Sequence, residues 1–188
     1  MINLFKNSKL IVLLSAVLIF SCSKGNDELN NESLRIVNAN ALVKEDLIGN
    51  WSLSRMQADV PVDLNDDAIS NTNLLAETSC FNTMGVIFYA DGTFLTNNAR
   101  LDFNAGATND KFDCISDRKD QGTWDVMDDK LLMSIVIDGK TYNHEKVLVM
   151  TANTFAFEVS KIESNQYVTD PGNTQASEIR ILELEYSK

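Results

Sequence analysis

Histidine is nearly absent from this chain: His144 is the only one in 188 residues. Acid–base chemistry would therefore fall to carboxylates, and these gather in turns and in a polar N-terminal stretch, with no pair singled out. No Gly-x-Ser-x-Gly elbow, His-Glu-x-x-His helix, phosphate loop or dinucleotide fingerprint occurs in the sequence. That leaves no residue to name as catalytic, and the chain is read as a non-enzyme without a cofactor. Basic residues are scarce as well, 16 against 27 acidic, for a net charge of −11. Such a balance excludes the basic face that nucleic acid requires and a polybasic grip on anionic lipid. Long apolar runs are missing too. The longest, residues 10–20, has eleven residues, where a membrane-spanning helix needs about 20.

That short run nevertheless sets an address. Lys6 and Lys9 precede it and Ser21 follows, so residues 1–21 read as a removable export signal. The junction Ile19-Phe20-Ser21-Cys22 resembles the lipobox of bacterial lipoproteins, in which the cysteine is acylated and becomes the new N-terminus. The resemblance implies lipidation of Cys22, membrane attachment through palmitate-type acyl chains, and an outer-membrane lipoprotein of the bacterial envelope, on either face. More than one chain is needed for stable anchoring. Cleavage would remove two lysines and no acid, leaving 14 basic against 27 acidic residues, a net of −13. Residues 22–45 then form the lipidated cysteine and a flexible tether, polar and Asn-rich from Ser23 to Asn40; about 20 such residues span roughly 25 Å as a coil. Residues 46–188 are long enough for one domain with its own core, read as a monomer.

With Cys22 assigned to lipid, Cys80 and Cys114 remain. An even remainder in an exported chain favours a disulfide over two free thiols, worth around 3–4 kcal/mol for a loop of about 35 residues. A metal site finds no support: there is no Cys-x-x-Cys, and His144 is remote from both cysteines in sequence. Asp63-Leu64-Asn65-Asp66-Asp67 begins like a calcium loop, but Ala68 stands where the turn glycine belongs and Leu74 where the bidentate glutamate belongs.

From Leu47 onward the texture is β. Eight runs of apolar, β-branched and aromatic residues lie at 51–56, 86–89, 93–96, 123–126, 131–137, 146–150, 154–159 and 179–186. Asp91-Gly92 and Asp138-Gly139 are hairpin turns, and Asp128-Asp129 and Ala152-Asn153 make the other tight connections. A short helix is expected near 66–78. In an up-and-down meander the three long connections, 57–85, 97–122 and 160–178, all emerge at one end. A Greek-key sandwich would scatter them. The fold class is therefore all-β, an eight-stranded antiparallel up-and-down barrel, and a Cys80–Cys114 bridge is natural at its long-loop end.

Leu47-Ile48-Gly49-Asn50-Trp51 resembles the Gly-x-Trp signature that opens the first strand of lipocalins, and Gly122-Thr123-Trp124 repeats it at the fourth strand. Together with the hairpin Phe88-Tyr89-Ala90-Asp91-Gly92-Thr93-Phe94, the ensemble is similar to the lipocalin-like domains of Gram-negative lipoproteins over residues 47–186. The resemblance implies that Gly49 and Trp51 form the closed end of the barrel, with Arg180 packed over the tryptophan; the alternative for Arg180 is an exposed strand charge. Both tryptophans are read as core and His144 as a surface residue.

Two functions follow. In the first, the barrel holds a small apolar or amphipathic ligand at a mouth rimmed by Leu74, Leu75, Phe81, Phe103, Phe112 and Tyr167, the apolar residues of otherwise polar loops. In the second, the barrel is filled and the domain serves as a protein-interaction or structural module at the cell surface. Interior volume separates them, with about 300 Å³ as the lower bound for a drug-sized ligand.

Overall fold

The computed structural model describes residues 42–103, 111–137, 139–169 and 179–188. The expected export signal, Cys22 and nearly all of the tether lie outside the described residues. The end of the tether does not: Lys44–Leu47 is a single helical turn, α1, so ordered packing starts ahead of the expected boundary at 46. Lys44 Nζ lies 3.0 Å from Asp125 Oδ1, and the Leu42 amide donates to Asp129 Oδ1 at 3.0 Å.

Beyond α1 the chain is mostly strand. In order come β1 (Gly49–Val62), β2 (Asn71–Asn73), β3 (Gly85–Phe88), β4 (Thr93–Phe103), β5 (Phe112–Met127), β6 (Lys130–Ile137), β7 (Lys140–Val147), β8 (Val149–Met150), β9 (Thr154–Glu158), a helical turn α2 (Lys161–Ser164), β10 (Val168–Thr169) and β11 (Ile181–Ser187). Antiparallel ladders join them in the order β7-β6-β5-β4-β3-β1-β11-β9-β8. From β3 to β7 neighbours in sequence are neighbours in the sheet, β7 and β8 lie at its opposite edges, and the last long strand returns to the first. This is the expected antiparallel up-and-down architecture, curled into a half-barrel and with eleven strands among the described residues in place of eight. The strand expected at 146–150 begins earlier, at Lys140, and breaks at Leu148 into β7 and β8; β2 and β10 are short additions.

Two expectations are corrected. Residues 97–122 are not a long loop, because β4 and β5 stay paired from Thr93↔Thr123 out to Phe103↔Phe112. Their outer halves are polar, since there a strand can meet water, and the polarity reads as loop in sequence. Nor is 66–78 an α-helix. It holds β2 and the 3₁₀ turn Leu74–Ala76, followed by a second 3₁₀ turn, Ser79–Phe81; the Asn73 and Thr78 side chains cap the two turns. The remaining long connections still emerge at one end, opposite the tight turns. Asp128 and Asp129, with φ of 51° and 61° between the paired Met127 and Lys130, make the primed turn that suits strand twist.

Bulges decide which side chains point inward. An extra residue in β1 between Leu53 and Arg55 switches the inward set from Trp51 and Leu53 to Met56 and Ala58. A second irregularity, at Leu182 in β11, puts Ile181, Leu184 and Tyr186 inside and Leu182 outside. The interior is aromatic at the tight-turn end: Phe88–Trp124 and Trp51–Phe155 have ring centroids 4.8 Å apart, and Phe155–Tyr186 5.1 Å. Each such side chain is worth roughly 1.5–3 kcal/mol when fully buried. Cys80 and Cys114 are disulfide-bonded with Cα atoms 5.6 Å apart, which pins the second 3₁₀ turn to β5.

Candidate functional site

Both ends of the barrel are packed. At the tight-turn end, α1 lays the fully buried Leu47 across the opening, and its carbonyl accepts the Trp51 Nε1–H at 2.7 Å. Gly49 enters β1 with φ of +127°, a backbone conformation that L side chains rarely adopt. Trp124 Nε1–H donates to the Tyr89 carbonyl at 3.1 Å. The cation over Trp51 is Lys188, with Nζ 4.3 Å from the ring centroid, and Lys44 covers Trp124 at 5.0 Å. Arg180 is not that partner. It is exposed, and its backbone amide bonds to Asp59 Oδ1, eight residues along β1 from Trp51. The bulge at Leu182 is the reason, because it takes Arg180 off the face shared by Leu184 and Tyr186.

The six expected rim residues lie together at the long-loop end, but chiefly as packing. Leu74 and Phe81 have no exposed surface and Phe103 has 2 %. Leu75 and Phe112 are partly buried against the same core, and the Phe112 ring sits 5.6 Å from that of Phe103. Above them β10 pairs in parallel with Leu101 and Asp102 of β4. Tyr167 alone of the six lines the interior cavity.

That cavity, of about 90 Å³, lies between the two packed ends. Its floor is apolar, from Val86, Phe88, Phe94, Met133, Ile135 and Phe157. Its upper wall is a ring of polar groups that reading by sequence missed. Arg118 Nε is 3.1 Å from Asp120 Oδ2, which also accepts from Asn98 Nδ2 at 2.8 Å. Lys146 Nζ is 2.7 Å from Glu163 Oε2, and His144 Nδ1 is 3.4 Å from Glu163 Oε1. His144, expected at the surface, is half-buried and lines both this cavity and the groove outside it. Strand alternation carried the signal: counting back by twos from Trp124 along β5 gives Gly122, Asp120 and Arg118, and back from Met150 along the bent strand gives Lys146 and His144.

Electrostatics within the ring are settled internally. Burial pushes the Glu163 carboxyl up, but hydrogen bonds from Lys146 and from Ser160 more than reverse this and hold it at about 2. Burial pushes the Tyr167 phenol up to about 12, with Glu163 adding to it, so at neutral pH it is an O–H donor. Tyr186, stacked with Phe155 and Phe157 beneath the ring, is raised well above its ordinary range, chiefly by burial. Two cations and two carboxylates line the cavity and satisfy each other. No group of three or more His, Cys, Asp or Glu side chains suited to a metal ion occurs among the described residues.

Comparison with known proteins agrees with this geometry. A family model described as a lipocalin-like domain matches residues 47–157, more than half of the chain, from α1 through β9. No curated protein and no solved structure matches. The chain belongs to the family of lipocalin-like domains.

Proposed function

We propose that this chain is a non-catalytic binding protein whose barrel interior takes a small uncharged amphiphile, and that acylation of Cys22 holds it on a membrane of the bacterial envelope. The binding reading is carried by one observation: a partly open cavity with an apolar floor and a hydrogen-bonding upper wall, inside a lipocalin-like barrel. The ring selects against charge. Arg118 is matched by Asp120 and Lys146 by Glu163, so an ionic head group would lie unpaired or would have to break an existing pair. A hydroxyl or amide head is served by Thr96, Asn98, Gln166 and Tyr167, all of which line the cavity. Isothermal titration with 1-hexanol, hexanoate and hexylammonium, equal in chain length, tests this. The alcohol should bind at least tenfold more tightly than either ion; tighter binding of an ion would refute the charge argument.

The filled-barrel reading is favoured by size. A cavity of about 90 Å³ corresponds to about three waters and falls short of the 300–1,000 Å³ of drug-sized sites. No saturable binding of any of the three probes would support it. The anchor rests on the sequence at 19–22 and has its own test. A Cys22→Ser variant should lose fatty-acid incorporation and move to the soluble envelope fraction; unchanged membrane partitioning would refute it.

A further inference from the structure

Around the barrel, backbone ladders join each strand to the next except along one line. Among the described residues β7 pairs only with β6, and β9 only with β8 and β11. Where β7 passes β9, side chains close the wall. On the inner side lies the cavity; on the outer side lies a groove of about 780 Å³. The same five residues, His144, Lys146, Phe157, Val159 and Glu163, line both. The groove leads to this partition past Val147, Val149 and Ile162, which are 67 %, 71 % and 82 % exposed. Such apolar exposure at a groove beside a cavity is unexplained by folding alone.

Lys146 crosses the seam. Its Nζ donates to the Glu158 carbonyl of β9 at 3.1 Å and to Glu163 Oε2 at 2.7 Å, and lies over the Phe157 ring, 5.2 Å from its centroid. Glu163 is held in turn by the capping box of α2, where the Ser160 amide donates to Oε2 at 2.9 Å. Among the described residues the two ends are packed, by Leu47, Trp51 and Trp124 at one and by Leu74, Phe81, Leu101 and Val168 at the other, each at 4 % exposure or less; of the cavity's own lining, Arg118 and Gln166 reach solvent at the upper wall. We propose that the β7–β9 seam is the lateral portal to the interior, with Lys146 as its latch, and that groove and cavity are two compartments of one site for an uncharged apolar molecule. This rests on the binding function proposed above. It also accounts for a cavity smaller than a typical ligand, because swinging Lys146 aside joins the cavity to the groove without breaking a run of backbone hydrogen bonds.

The test is stopped-flow fluorescence with N-phenyl-1-naphthylamine, a neutral apolar probe that brightens out of water. Three proteins are compared with the parent: Lys146→Ala, Lys146→Met, which keeps an unbranched side chain but removes both hydrogen bonds and the cation over Phe157, and parent protein with Cys80–Cys114 reduced, which loosens the long-loop end. Melting curves identify the conditions in which all are folded. Both Lys146 variants should associate at least tenfold faster than the parent, and reduction should change the rate by less than twofold. Acceleration by reduction and not by the Lys146 variants would put access at the long-loop end and overturn the portal while leaving binding intact. Saturable binding with equal rates in all four would overturn it as well. Absence of saturable binding in every protein would overturn the binding function itself, and the portal with it.

Discussion

Breaking the Cys80–Cys114 bridge probes the long-loop end directly. The two cysteines are 34 residues apart in sequence, and the bridge holds the 3₁₀ turn Ser79–Phe81 against β5. In the chain-entropy picture a loop of that size restrains the unfolded chain by roughly 4 kcal/mol. Little enthalpy is lost alongside it: Phe81 and Leu74 are buried by their own packing, and ten paired positions hold β4 to β5 without help. For a domain of this size each kcal/mol moves Tm by about 2–4 °C, so the melt should fall by roughly 8–16 °C. The assay is a pair of circular-dichroism melts, oxidised against reduced, with the Cys80→Ser/Cys114→Ser double variant as control. The far-UV spectrum at 20 °C should be unchanged, since no strand depends on the bridge. A reduced protein that melts within 2 °C of the oxidised one would refute the loop-entropy reasoning, and two free thiols in protein isolated under non-reducing conditions would refute the bridge.

Other substitutions test other parts of the barrel. A Cβ at Gly122 would lie 2.0 Å from the Ser134 carbonyl oxygen, so Gly122→Ala should cost about 3 kcal/mol by forcing β5 and β6 apart, read by denaturant unfolding. Lys188→Ala removes the cation over Trp51 and the hydrogen bond to the Asp46 carbonyl, and should cost about 1–2 kcal/mol, whereas Arg180→Ala should stay within about 0.5 kcal/mol. Because the folded carboxyl of Glu163 sits at about 2, below its unfolded value, its contribution is complete above pH 4.5 and disappears as pH falls through 2. Allowing for water screening at a partly exposed group, that contribution is about 1–2 kcal/mol. Stability measured from pH 7 to pH 2 should therefore fall less steeply in Glu163→Gln than in the parent.

The sheet was legible because its signals are local. Asp91-Gly92 and Asp128-Asp129 sit at the turns they announce, and the apolar runs mark the inner halves of the strands. What was not legible depends on register. The bulge at Leu182 shows only when β11 is set against β1, and it turns Arg180 outward. The Arg118–Asp120 and Lys146–Glu163 pairs form on polar strand halves and on a four-residue helix that read as loops. Long-loop apolar residues such as Phe81 were legible as apolar but not as filled-in core, because whether a mouth is open depends on how loops fold over it. The cation over the Gly-x-Trp tryptophan was expected in kind but not in place: Lys188 takes the position, reaching back from the chain's last residue.

Native mass spectrometry of the protein purified from its own envelope is the most direct test of whether the barrel holds a small uncharged amphiphile. A binding protein should carry a discrete adduct that organic extraction removes, and the extracted protein should take up hexanol saturably with one molecule per chain. A single bare mass before extraction, followed by no saturable uptake of any probe, would contradict the binding function and leave the filled barrel in its place.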